Sequence, residues 1–271
     1  MNGTYIPLPY SSFYISDPKP RHIHKANIRD RVLHQAIFRV LYPIFDKTFI
    51  HDSYSSRVDK GTHAGVARLL DFLRKASANY QKPAFALKCD VSRFFDLIDH
   101  RILLELIARR IHDEHCLTLV RQIVESFSTA PGKGLPLGNV TSQLFANIYL
   151  NELDQFVKHS LKRHWCLRYC DDFVMVGSDR EELHALIEPI RQFLDERFVL
   201  TLHPRKIVLR SYQQGVDFLG YVLRPHVTTL RTNTRRRLLR RVTGPNLSSY
   251  LGVLSHCRGY KIKKQIFEKL S

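Results

Sequence analysis

Acidic residues are scarce in this chain: Asp and Glu total 25 against 42 Lys and Arg, a formal charge of +17 over 271 residues. A surface so short of carboxylates concentrates polyphosphates and releases counterions on binding, so the deficit favours a nucleic-acid partner over a merely soluble basic surface. Long apolar runs are also missing, which excludes a helical membrane span. The first nine residues lack the basic-then-apolar order of a secretory signal. Cysteines number five, an odd count without CxxC spacing. That argues against a disulfide framework and for reduced thiols in a cytosolic setting. No repeat, low-complexity tract or flexible linker interrupts the chain, which leaves one continuous unit with lobes. Its hydrophobic content, 44%, is that of a folded globular protein.

What is present is a series of periodic segments. Residues 1–20 are rich in Pro, Tyr and Ser and read as extended or looping, and Lys19 to His24 alternates as a short strand. Asn27 to Phe49 carries Ile28, Val32, Leu33, Ala36, Ile37, Val40 and Leu41 at helical spacing, with Pro43 expected to interrupt it. Residues 53–62 form a polar loop, and a second helix runs over 63–76. Phe85 to Val91 alternates as a strand that delivers Asp90 at its end. Helices follow over 99–110, 117–126 and 142–161, with a turn-rich segment at 132–138. Ser178 and Glu181 fit a capping box that opens a helix over 179–197. Short strands are expected over 201–209 and 218–223, then a basic helical remainder with arginines concentrated at 235–237 and 240–241.

The chain is organised around Leu167-Arg168-Tyr169-Cys170-Asp171-Asp172-Phe173-Val174-Met175-Val176. Strand formers flank two aspartates, which are disfavoured within strands, so a β-hairpin with both carboxylates at its tip is expected. Carboxylates about 4 Å apart repel by about 4 kcal/mol at an effective dielectric of about 20. Such a pair implies a raised pKa or a bound cation. His164, Cys166 and Cys170 offer a zinc cluster as an alternative, but they flank or occupy the strand, and buried structural cysteines are the better reading. If adjacent strands bring Asp90 to Asp171 and Asp172, three carboxylates share the volume that two divalent ions about 3.5–4 Å apart require for phosphoryl transfer. Magnesium suits hard oxygen ligands of this kind.

These residues also carry a resemblance. Cys89-Asp90-Val91-Ser92-Arg93-Phe94-Phe95, Leu137-Gly138-Asn139-Val140-Thr141-Ser142-Gln143, Tyr169-Cys170-Asp171-Asp172, Lys206 and Phe218-Leu219-Gly220-Tyr221 stand in the order of the reverse transcriptase motifs. The resemblance implies an α+β right-hand polymerase. Its lobes would be fingers over 1–84, palm over 85–112 and 137–222, a connection over 113–136, and a basic helical thumb over 223–271. It implies an RNA-directed DNA polymerase that extends a DNA or RNA primer on an RNA template with dNTPs, using two Mg2+ ions with Mn2+ as the alternative.

By that resemblance Asp90, Asp171 and Asp172 form the metal site, with Asp172 in part structural. Phe95 crowds a ribose 2′-hydroxyl, while Phe94 packs in the core. Arg21 meets the incoming triphosphate, and Lys19 assists it or is simply solvated. Lys206 donates a proton to pyrophosphate or neutralises its charge. Gly138 admits close backbone approach to the nucleotide, or is an ordinary turn glycine. Phe218, Leu219, Gly220 and Tyr221 form the primer grip.

Two positions depart from the general pattern. Leu137 stands where most reverse transcriptases have Gln, and Gln143 where most have Pro. This combination, with DPKPRHI, RDRVLHQAIF, DSYSSRVDKGTH and GLPLGNVTSQLFANIYLNELD, resembles the reverse transcriptases of diversity-generating retroelements. It implies misincorporation opposite template adenines, a structured template RNA, a small basic oligomeric accessory protein, and a bacterial or phage-encoded cytoplasmic enzyme without membrane attachment. The chain is too short after the primer-grip match for a ribonuclease H or endonuclease domain. The rival readings are a defence-associated or retron-type reverse transcriptase and, from another class, a non-catalytic RNA-binding scaffold.

Overall fold

A computed structural model describes residues 5–16 and 20–270. Its centre is a four-stranded antiparallel sheet in the order β4-β5-β3-β6, from β3 (Phe85–Asp90), β4 (Cys166–Tyr169), β5 (Asp172–Gly177) and β6 (Val208–Ser211). Both faces of this sheet are covered. Leu87, Cys89, Phe173 and Met175 enter one apolar core, whereas Ala86, Leu167, Val174 and Val176 enter a second. Strand alternation thus feeds two cores, one from each face of the sheet.

The first core is built around α6 (Val140–Gln155), which is buried on nearly every side. Against it and the sheet lie α1 (Ile28–Asp46), α4 (His100–Ala108), α5 (Glu114–Glu125) and α8 (Ile187–Phe198). The second core takes α2 (Thr62–Ala76) and a three-stranded antiparallel sheet, β7 (Val216–Phe218), β8 (Tyr221–Arg224) and β9 (Val227–Leu230). It also takes the helices α9 (Thr232–Arg241), α10 (Leu247–Leu254) and α11 (Tyr260–Leu270). A separate hairpin, β1 (Ser11–Ile15) and β2 (Arg21–Lys25), completes the strands. No helix among the described residues is long and apolar enough to cross a membrane.

Several elements differ from the sequence expectation, each for a physical reason. Residues 11–15, expected to be irregular, are a strand because they pair along their whole length with β2, a partner that a local reading cannot supply. Pro43 lies inside α1 and does not break it, because Leu41 and Phe45 on either side are both buried and core packing offsets the lost hydrogen bond. Four residues expected on the core side of α1, namely Ile28, Val32, Ala36 and Val40, are exposed; Asp30, His34, Ile37, Leu41 and Phe45 form the buried face.

The expected helix over 179–197 is two helices, α7 (Arg180–Ala185) and α8, which meet at Leu186. Pro189 accounts for the break, since proline fits the first turn of a new helix but not the interior of a continuing one. The cap is Asp179, whose side chain accepts from the amides of Glu181 and Glu182, and not Ser178. α5 begins at Glu114, earlier than expected, because Asp113 accepts from the Cys116 amide at 2.6 Å. The helix expected to reach Leu161 changes at Phe156–Ser160 to a π-helical turn. The strand expected over 201–209 contracts to β6, preceded by a 3₁₀ turn at Pro204–Lys206. The strand expected over 218–223 is a hairpin, with Leu219 and Gly220 at positive φ between β7 and β8.

Candidate active site

β3 and β5 pair in a register that places Asp90 directly opposite Asp172, and β4 places Tyr169 against Asp172 from the other side. The β4–β5 connection is only Cys170 and Asp171, with Cys170 at φ 57°. Only Asp171 therefore sits at the hairpin tip, and Asp172 is the first strand residue. The expectation of two carboxylates at the tip is corrected by this register. Lys88 lies two residues before Asp90 on the same face of β3, and its Nζ is 2.9 Å from Asp172 Oδ2. Lys206, on the 3₁₀ turn, places its Nζ 2.6 Å from Asp90 Oδ1.

Among the described residues Asp171 makes no such ion pair, although the Lys206 charge also acts on it. Burial pushes its carboxyl above the usual range, and the Asp90 charge pushes it further. Burial also raises Asp172, with Lys88 opposing the shift. Asp172 Oδ1 is buried without a hydrogen-bond partner. Among the described residues no three His, Cys, Asp or Glu side chains are grouped so as to hold a metal ion as they stand. The donor set nevertheless fits a divalent cation. Hard carboxylate oxygens converge, one of them lacks any partner, and mutual repulsion raises the cost of keeping them charged. The alternative zinc cluster at His164, Cys166 and Cys170 does not form, and burial pushes the Cys166 and Cys170 thiols up to about 12.

The three aspartates line a cleft of about 700 Å³ together with Arg21, Phe95, Leu137, Gly138, Gln143, Lys206 and Leu219. Ten of the fourteen residues singled out in the sequence thus face one space. Lys19 lies outside the described residues. Phe218, Gly220 and Tyr221 do not line the cleft. Phe218 and Tyr221 are core residues, and the Tyr221 hydroxyl donates to the Val253 carbonyl at 3.0 Å. On the short helix α3 (Phe94–Leu97), Phe94 is buried, while Phe95 is half-buried with its ring edge-on to Phe94 at 5.5 Å.

The Leu137–Asn139 side of the cleft is tied to the β1–β2 hairpin and the residue after it by hydrogen bonds. The His24 amide donates to the Leu137 carbonyl at 2.9 Å, and Asn139 both accepts from the Ala26 amide and donates to the His24 carbonyl. Gly138 is required here: its φ is 110°, and a Cβ would lie 2.7 Å from Ile23 Cγ2. Gly138→Ala is accordingly expected to lower stability by about 1–3 kcal/mol and to detach β2 from the cleft wall. Thermal unfolding, with limited proteolysis in the 11–25 segment, measures both effects.

The sequence reading missed Ser55, Ser56, Arg93, Ser142 and Asn147, which also line the cleft. Arg93 held a signal, because a basic residue between Asp90 and Phe95 joins the same cleft; its left-handed backbone at φ 47° was not legible.

The architecture has counterparts among solved structures. Apo telomerase from Candida tropicalis superposes with a TM-score of 0.65 over 92% of this chain and 51% of that one, at 12% identity. Telomerase from the same organism in complex with a fragment of telomeric RNA gives 0.62 over 96% of this chain and 52% of that one, at 13% identity. At such identities the match speaks to fold, and the fold is that of a right-hand polymerase.

The sequence then specifies which polymerases these are. The family described as reverse transcriptase (RNA-dependent DNA polymerase) matches residues 16–223, well over half of the chain, and the protein belongs to it. Similar proteins include Protein YkfC of Escherichia coli, 26% identical over 82% of this chain and 68% of its own length. The group II intron-encoded protein LtrA of Lactococcus lactis is 22% identical over 82% of this chain and 48% of its own length. The chain thus spans about half the length of LtrA and of the telomerases.

Proposed function

We propose that this protein extends a nucleic-acid primer on an RNA template by joining deoxynucleotides at the primer 3′-end. The observation that carries the reading is the Asp90–Asp172 register, which sets three carboxylates at the floor of a cleft whose walls carry Arg21, Phe95 and Lys206. In the reaction the primer 3′-oxygen attacks the α-phosphorus of a dNTP, and the bond to pyrophosphate breaks. Asp90, Asp171 and Asp172 are the residues that would hold two Mg2+ ions, which when bound activate the 3′-hydroxyl and offset triphosphate charge. Arg21, exposed on β2, is placed to receive the triphosphate through its guanidinium. Phe95 narrows the cleft beside the sugar. Lys206 is the ammonium available to the departing pyrophosphate.

On this reading residues 1–84 are fingers, 85–112 and 137–222 palm, 113–136 their connection, and 223–271 thumb. Of the grip motif, Leu219 is the member that meets the primer, while Phe218, Gly220 and Tyr221 hold its turn. The arginines of α9 supply the positive charge for the template–primer duplex.

We further propose that copying is error-prone at template adenines, as in a diversity-generating retroelement, with a structured RNA and a small basic accessory protein as partners. Leu137 supports this, since an aliphatic side chain in the cleft offers no hydrogen bond to discipline the nascent pair. A loss of about 1.4 kcal/mol in discrimination is tenfold in error rate. Leu137→Gln is expected to lower adenine-directed errors by about that factor while leaving extension intact. The test is primer extension on a defined RNA with Mg2+ and four dNTPs, with products sequenced for both proteins. Accurate copying by the wild type would retain the polymerase and remove the mutagenic reading. No extension with cognate RNA and accessory protein supplied would favour an RNA-binding scaffold.

A further inference from the structure

Arg168 is among the largest fully buried side chains of the protein, at 1% exposure. All five of its guanidinium hydrogens are used. Nε lies 2.9 Å from Asp154 Oδ1, and Nη2 lies 2.7 Å from Asp154 Oδ2. Nη1 donates to Asn147 Oδ1 at 3.1 Å and to the Cys170 carbonyl at 3.0 Å; Nη2 also donates to Ser53 Oγ at 3.3 Å. Asn147 and Asp154 lie seven residues apart on α6 and so share one face of that helix. Asn147 in turn donates from Nδ2 to the Ser55 carbonyl at 2.8 Å. The backbone of Arg168 adds two bonds to the same loop, accepting from Tyr54 and donating to the Asp52 carbonyl.

A buried ion pair is a poor way to obtain stability alone. Desolvation of both charges offsets most of their attraction, and apolar residues of similar volume do as well or better. What the fork supplies is direction. The Cys170 carbonyl belongs to the peptide that leads into Asp171, and Cys170 holds a left-handed backbone that needs a fixed partner. Ser55 and Ser56 line the same cleft as Cys170 and Asp171.

We infer that Arg168, aligned by Asp154, is a positioning residue that clamps the Cys170–Asp171 turn and ties it, with Asn147, to the Ser53–Ser56 wall of the cleft. Carboxylate turn and substrate wall are then one rigid unit, so that neither moves without the other. The inference rests on the polymerase reading above for its catalytic meaning, and on the hydrogen bonds alone for its mechanical one.

The test replaces the pair by an apolar one, Arg168→Met with Asp154→Leu, and measures thermal unfolding, amide hydrogen exchange, template–primer binding and primer extension. Positioning predicts a melting temperature and a template–primer affinity close to wild type. It also predicts exchange about tenfold faster in peptides spanning 166–173 and 50–57. Extension should fall about 10- to 100-fold in kcat, the usual effect of removing a group that orients a ligand. Wild-type exchange in both segments together with wild-type kcat, in a variant that folds, overturns the proposal. Should the double variant fail to fold, Arg168→Lys keeps the charge but cannot span Asp154, Asn147 and Cys170 at once; it is expected to show the same faster exchange, and unchanged exchange there is equally fatal. If the wild type proves inactive, the exchange measurement still decides the clamp, which separates its failure from failure of the polymerase reading.

Discussion

Asp171→Asn is expected to abolish primer extension, lowering the single-turnover rate about a thousandfold, or about 4 kcal/mol of barrier, while leaving the protein folded. The stability half of this prediction comes from the surroundings of the carboxyl. Asp171 is buried and feels Asp90, which together outweigh the attraction of Lys206, so its charge is carried at a cost in the metal-free fold. A neutral amide removes that repulsion, and the variant should melt at or above the wild-type temperature. Asp172→Asn makes a contrasting control. It removes the carboxylate 2.9 Å from the Lys88 ammonium, leaves that cation in a mostly buried site, and should lower stability. Extension rate and melting temperature measured on both variants separate the two carboxylates. Activity of Asp171→Asn within about tenfold of wild type would remove Asp171 from the reacting site.

Phe95→Val is expected to relax sugar selection, with the preference for a deoxynucleotide over the matching ribonucleotide falling about a hundredfold, within the range that steric changes in an apolar pocket produce. The ring lines the cleft, while its backbone is held independently, since the Phe95 carbonyl accepts from the Leu135 amide at 2.8 Å. Truncation therefore opens space at the sugar without releasing the chain, at a stability cost of about 1–2 kcal/mol for a half-buried ring. Competing dATP against ATP on one template reads the ratio directly. Unchanged selectivity, with the fold intact, would place the ribose elsewhere. Phe94→Val makes the comparison: Phe94 is buried in the core although it borders the same cleft, so it should cost more stability and shift the sugar ratio less than Phe95→Val.

The family and the three aspartates were readable in the sequence because they rest on local patterns. Alternation over 85–91 and strand formers over 167–176 give the central strands, an Asp pair between strand formers gives a turn, and the excess of Lys and Arg is visible in composition. Helix faces were less legible. Val32 and Val40 fit the apolar period of α1 and yet are exposed, because the core lies against the face that Asp30, His34 and Ile37 share. The β1 strand was illegible, since its only support is a partner strand across the hairpin.

The site itself divides along the same line. The sequence by itself marked Asp90, Asp171 and Asp172 as candidate ligands at strand ends, while the β3–β5 pairing brought Asp90 opposite Asp172 and left only Asp171 at the tip. Only the tertiary structure decided what surrounds them. Lys206 reaches Asp90 across 116 positions of sequence. Lys88 turns to Asp172 through strand pairing. Ile23 closes over Gly138, and Arg168 is buried as a hub instead of solvated as a surface cation. Periodicity reports the direction of a side chain relative to its own element. The identity of its partner depends on how distant elements pack, and in this protein that packing gives Lys88, Lys206 and Arg168 their partners.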